Sequence, residues 1–386
     1  MNRPILIPGL PRTWRGRREI QFGSDPNRAV SIELPDPRAA QLLDLLDGTR
    51  SERAALLQAA ELGVPVEHAQ ALLEALQATG LVLPAPDLLP TGLSPTSRGR
   101  LLGEAAALAM EGRHPADLLR RRAASRVVLT GHGRLGAPIA VALADAGVGA
   151  IETNIPGTVS AGELAGGPLR GTDIGRTRRD AISDAVSRAA PGLRPHPVRH
   201  RAAPSKPPTP SVRHRAAPDT PPTPSVRRPP DPDPSRSSPP TAPVLHPAAA
   251  TPPQSSPPDP VATLVVQLDH ERVPSGPHLA VTIRDGTPVI GPFVPAAGGP
   301  CLRCLDLHRR DRDAAWPGPP RRPLSEAVQP CTVPLLLAAT ALATAEALTH
   351  LDGGRPQTLG TAVEITAPGR TRRRSWPPHP ACRCTS

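Results

Sequence analysis

Arg126–Thr130 reads RVVLT, residues 131–136 read GHGRLG, and residues 137–146 read APIAVALADA before Gly147. A short, β-branched apolar run of this kind suits a strand buried on both faces. Ten Ala-rich residues, apolar except for Asp145 and ending at a glycine, suit a helix. Between them stands GxGxxG, in the strand-to-helix context that a dinucleotide-type turn requires. Gly131 permits the tight turn, Gly133 lets a phosphate approach the backbone, and Gly136 lets the helix pack closely on the strand. The stretch therefore predicts a Rossmann-type α/β unit over residues 123–193, with these three glycines as a candidate nucleotide turn.

Further along, residues 261–268 (VATLVVQL) and His278–Arg284 (HLAVTIR) read as strands. A turn at Asp285-Gly286-Thr287 leads to a third strand over 289–294, and residues 331–351 form a helix apolar nearly all round. The α/β unit thus resumes at 261 and runs to 386. Residues 194–260 interrupt it with 23 of the chain's 56 prolines. Residues 198–211 (VRHRAAPSKPPTPS) recur almost unchanged as 212–225 (VRHRAAPDTPPTPS). Such a segment offers too little apolar area to offset the cost of ordering, so a disordered linker is expected there.

The 386 residues carry a formal charge of +11, almost entirely from arginine, since Lys206 is the only lysine. The linker alone supplies nine Lys/Arg against four Asp/Glu, so the charge does not mark a folded nucleic-acid surface. No run of 18 apolar residues and no signal-peptide core is present, and five cysteines are too few for a disulfide framework. A cytoplasmic protein with no membrane partner is expected.

Residues 1–90 open with strand-like runs at 5–7, 18–22 and 29–34, the last two joined by GSDPN at 23–27. Helices follow at 37–46, from the Ser51 cap to about Leu62, and at 66–79, where Ala69, Leu72, Leu73 and Leu76 share a face. This α+β order resembles a winged-helix domain. A DNA reader needs basic residues on its recognition helix, yet residues 66–79 (VEHAQALLEALQAT) hold two Glu and no Lys or Arg. Residues 42–82, with LLDGT at the start and GLV at the end, instead resemble the PqqD-type element that binds leader peptides of ribosomally made, modified peptides. That resemblance implies strand addition beside 29–34, through Val30 or Ser31, with Gln70, Glu74 and Gln77 bordering the groove.

Cys301-Leu-Arg-Cys304 and Cys382-Arg-Cys384 lie 77 residues apart. Two dithiolate clips make a closed sulfur set suited to a structural zinc ion. Cys331 stands apart, with no neighbouring base to activate it, and reads as a buried structural thiol.

The continuation of the glycine turn, through TDIGRTR at 172–178, resembles the ThiF and ubiquitin-activating-enzyme adenylation fold. That family carries two acids after its second strand, an Arg soon after, and a Lys in a DIGxxK stretch. Here Ile155, Gly157, Gly166 and Arg178 stand in those places. The missing carboxylates remove the ribose and magnesium ligands, so ATP is not expected, and Arg178 remains only as a vestigial phosphate attractor. Residues 299–317 and the tail RRRSWPPHPACRC, with the PqqD-like start, resemble an actinobacterial family of fused leader-binding, ThiF-like proteins. The resemblance implies a non-catalytic partner of a YcaO cyclodehydratase in thiazole- or oxazole-type peptide biosynthesis, and a homodimer. The expected organisation is 1–90 for recognition, 91–122 a helical connector, 123–193 and 261–386 the ThiF-like domain, and 194–260 a linker. Competing readings are an active adenylyltransferase that acts on a peptide or carrier-protein C-terminus, and a winged-helix nucleic-acid binder.

Overall fold

The computed structural model describes residues 2–193, 263–268, 276–318 and 329–385. The linker read at 194–260 lies outside them. Twelve strands and nine α-helices form among the described residues. The N-terminal part holds β1 (Pro4–Leu6), β2 (Arg12–Trp14), β3 (Glu19–Phe22), β4 (Val30–Glu33), a 3-10 helix (Pro37–Asp44), α1 (Glu52–Glu61), α2 (Val66–Ala78) and β5 (Val82–Pro84). Then α3 (Ala85–Leu88), α4 (Pro95–Met110) and α5 (Pro115–Ala123) connect to β6 (Arg126–Thr130). The remainder is α6 (Gly136–Asp145), β7 (Ala150–Asn154), α7 (Arg178–Ala189), β8 (Leu264–Gln267), β9 (His278–Arg284), β10 (Thr287–Val294), α8 (Leu302–Arg312), α9 (Val333–Leu351), β11 (Thr361–Ala367) and β12 (Arg370–Ser375).

Strands β2, β3 and β4 form an antiparallel sheet in that order, and the turn read at 23–27 joins β3 to β4, where Phe22 faces Val30. The Asn27 N–H donates to Asp25 Oδ1 at 3.0 Å and fixes the turn. Ser51 caps α1 by accepting from the Ala54 N–H. Ala69, Leu72, Leu73 and Leu76 of α2 are all buried, in one core with Phe22, Leu34 and Leu42. Residues 37–44 are 3-10 rather than α-helical, opened by Pro37 and capped by the Asp36 carboxylate.

The main sheet has seven strands in the order β12-β11-β10-β9-β8-β6-β7. Strands β7, β6, β8 and β9 are parallel neighbours, and β9 to β12 continue as an antiparallel meander. One face, through Val127, Leu129, Val266, Val281 and Ile290, packs with α6, α7 and α9 in the largest core. On the other face of the meander, Val289 and Ala362 meet Leu305 of α8 and Trp376. Helix α9 is long and apolar enough to cross a bilayer. Its residues Leu336, Ala339, Ala343 and Ala347 are nevertheless buried in this core.

The stretch AIETN at 150–154 is polar for the centre of a parallel sheet, and β7 is accordingly an edge strand. Its Glu152 accepts from Arg126 on β6 through two bonds of 2.7 Å, which satisfies the buried carboxylate.

Candidate functional site

The glycine turn sits where β6 gives way to α6, as its spacing demands. Gly131 and Gly133 both have positive φ, and Gly136 opens the helix. Residues from elsewhere in this chain occupy the space around the turn. The Arg134 N–H donates to Gln329 Oε1 at 3.1 Å, and a Cβ on Gly133 would also lie 3.1 Å from that oxygen. The Arg134 guanidinium donates to the carbonyls of Gln329, Cys331 and Ala165 at 3.1–3.3 Å. A backbone N–H that faces phosphate in a dinucleotide turn is here paired with a side-chain amide.

The positions aligned with the family's acids are engaged differently. Ile155 is buried in the main core, and a Cβ on Gly157 would approach Arg178 Nη1 to 2.5 Å. Arg178 lies at the first turn of α7, itself buried. It donates twice to Glu163, at 2.9 Å each, and once to the Pro156 carbonyl at 2.8 Å. Burial raises the Glu163 pKa, but Arg178 and the Ser160 N–H outweigh it and hold the carboxylate below its ordinary value. Gly166 packs against Val333 and Leu336 of α9. Arg178 is thus brought to the site read for it, and a carboxylate already meets its charge. Glu163, Arg134 and Gln329 are the residues that sequence reasoning passed over. Gln329 is 195 positions from Arg134, so no local pattern could pair them.

The four cysteines read as metal ligands converge. Cys301 stands at the N-terminal boundary of α8 and Cys304 lies in its first turn, while Cys382 and Cys384 come from the tail. Cys301 Sγ is 3.9 Å from Cys304 Sγ and 3.6 Å from Cys382 Sγ, and Cys304 Sγ is 3.3 Å from Cys384 Sγ. These separations are far beyond a disulfide bond, and all four sulfurs lie within 4.8 Å of one another. A tetrahedral zinc with bonds of about 2.3 Å needs sulfurs about 3.8 Å apart, which this set approximates. Burial opposes ionisation of Cys304, yet the His379 N–H donating to its sulfur and the adjacent thiols bring it to about 7. Burial and the neighbouring thiols push Cys384 up to about 12. The cluster is compatible with a structural zinc ion. His379, missed in the sequence, also binds Asp311 at 2.8 Å and accepts from the Ala381 N–H at 3.1 Å, so it anchors the tail beside the sulfurs. Cys331 is half-buried just ahead of α9, and burial raises its pKa.

The leader-site residues lie on two elements. Strand β4 is an edge of its sheet. The Leu34 N–H donates to Arg18 O, so the alternation of an antiparallel ladder turns Val30 and Ile32 inward to β3 and leaves the Ser31 N–H facing outward. Gln70, Glu74 and Gln77 are exposed on α2, where Gln70 donates to Glu74 at 3.1 Å.

No known protein-family profile matches the chain, and no curated protein matches it. Solved structures do. Escherichia coli MccB with AMPCPP and MccA is 12% identical with a TM-score of 0.54, covering 100% of both chains. MccB with ATP is 13% identical with a TM-score of 0.53, covering 99% of each. PaaA is 14% identical with a TM-score of 0.54, covering 95% of this chain and 98% of its own. At these identities the likeness shows the fold, a ThiF-like α/β fold.

Proposed function

We propose that the chain is a leader-binding scaffold in the maturation of a ribosomally made peptide and does not itself transfer adenylate. The observation that carries this reading is the state of the nucleotide turn. Arg178 is neutralised by Glu163, the acid positions are Ile155 and Gly157, and Gln329 takes up the Arg134 N–H. Without carboxylates at those positions, magnesium and ribose lack the ligands the adenylating family supplies. The resemblance to MccB, a microcin C7 biosynthetic enzyme solved with MccA, supports a peptide as partner.

In this reading residues 1–90 capture the leader by strand addition to β4, with Ser31 supplying the outward N–H and Gln70, Glu74 and Gln77 flanking. The peptide's reactive segment is then presented to a YcaO-type, ATP-dependent cyclodehydratase. Cys301, Cys304, Cys382 and Cys384 hold a structural zinc that fastens the tail to α8; with four sulfur ligands it keeps no open position for substrate.

The second reading, an active adenylyltransferase, is favoured by the fold shared with ATP-bound MccB. Pyrophosphate exchange separates the two. The purified chain is incubated with ATP, magnesium, labelled pyrophosphate and precursor. The scaffold reading expects no precursor-dependent label in ATP together with saturable leader binding, and exchange above the no-enzyme control would overturn it.

A further inference from the structure

Helix α8 covers the meander face opposite the main core, and beyond Leu305 it stands off from the strands. The cleft there is lined by Arg284 at the end of β9, Arg309 and Arg312 of α8, Arg374 of β12, Glu364 of β11, and Trp376. Four guanidinium groups thus face one carboxylate. Glu364 is already committed to Arg374, at 3.0 Å. The nearby Asp306 is committed to Arg310, at 3.1 Å, and to the Trp316 indole N–H, at 2.8 Å.

Among the described residues, the guanidinium groups of Arg284, Arg309 and Arg312 make no hydrogen bond and no ion pair. Arg309 is half-buried, and its guanidinium lies over the face of Trp316, 5.0 Å away. Burial and the like charges of Arg284 and Arg374 depress its pKa, and the carboxylates of Asp306 and Glu364 offset this only in part. Folding alone gives no reason to gather three unpaired arginines from two elements around one cleft.

We infer that this cleft binds a phosphate group, with Arg309 at its base and Arg284 and Arg312 at its rim. Three unpaired cations match a phosphate dianion, whose several oxygens accept from several guanidinium forks at once, better than they match a single carboxylate. The enclosure between α8 and the sheet suits one such group. An extended nucleic-acid backbone would instead follow the exposed Arg370, Arg372 and Arg373 along β12. The site is separate from the glycine turn, which lies at β6 and α6, and it does not depend on the scaffold reading.

Trp316 and Trp376, two of the chain's three tryptophans, report on the cleft. The full-length chain is titrated with pyrophosphate, ADP and acetate at matched ionic strength, with tryptophan fluorescence as readout. The proposal expects saturable binding of pyrophosphate, none of acetate, and weakening of about tenfold or more in Arg309→Gln. Arg312→Gln, at an exposed position, should weaken binding in the same direction and serves if Arg309→Gln does not fold. Arg370→Gln should leave it unchanged. Tighter binding of ADP than of pyrophosphate means that the phosphate arrives on a nucleotide, and equal binding means a free polyphosphate. Absence of saturation, equal binding of acetate, or unaltered affinity in folded Arg309→Gln and Arg312→Gln would each overturn the site. So would oligonucleotide binding lost in Arg370→Gln but not in Arg309→Gln.

Discussion

Removal of the proposed zinc from the cysteine cluster should loosen one identifiable part of the molecule. A zinc there would tie Cys304, in the first turn of α8, to Cys382 and Cys384, and so close a loop with 77 residues between its inner ligands. A cross-link over a loop of that size restricts the unfolded chain by about 4–5 kcal/mol at room temperature. The tail keeps other attachments without it. Trp376 is buried against Val289, Leu305 and Ala362, and His379 binds Asp311. Loss of metal should therefore lower stability by about 4–5 kcal/mol without abolishing the fold, a fall in Tm on the order of 10 °C. The chain is purified, its zinc content measured, and thermal unfolding followed with and without a chelator and in Cys304→Ser. Limited proteolysis at the arginines of β12 should become faster in the apo form. A cooperative fold containing no zinc, with the same Tm in Cys304→Ser, would refute the reasoning.

Three further outcomes follow from named contacts. Leu76 is fully buried in the N-terminal core, so Leu76→Ala should cost about 2–5 kcal/mol by denaturant unfolding. The Glu163 carboxylate is held below its ordinary pKa by Arg178, so its contribution is present above the unfolded-state value of about 4.3 and is lost as pH falls through the lower folded value. Urea midpoints of wild type and Glu163→Gln should accordingly differ at pH 7 and converge in acid; a constant difference would contradict the pairing. Gln329→Ala should leave Arg178 paired and pyrophosphate exchange absent, and exchange appearing in that variant would show that Gln329 alone masks a competent turn.

The parts legible in the sequence are those whose physics is local. The buried face of α2, the Ser51 cap, the turn between β3 and β4, and the β6–α6 junction all follow from periodicity or turn chemistry within a few residues. The clustering of four cysteines follows from ligand spacing. Strands β2 (RTW) and β12 (RTRRRS) escape such reading because they are exposed edge strands with almost no apolar side chains. The burial of Glu152 on β7 escapes hydropathy as well, because it depends on the carboxylate pairing across to Arg126. The engagement of Arg134 by Gln329, of Arg178 by Glu163 and of Cys304 by His379 depends on tertiary contact between distant segments.

Strand addition at β4 is the step on which the proposed function rests. Ser31→Pro removes the outward N–H that an added strand would use, at an edge position where proline is tolerated. Val30→Pro instead removes an N–H turned toward β3 and should weaken the sheet itself. A labelled leader peptide of the candidate precursor is titrated against wild type and Ser31→Pro, with folding checked by circular dichroism. The account predicts a folded Ser31→Pro protein that has lost leader binding, and a folded Ser31→Pro protein that binds the leader as tightly as wild type would contradict it.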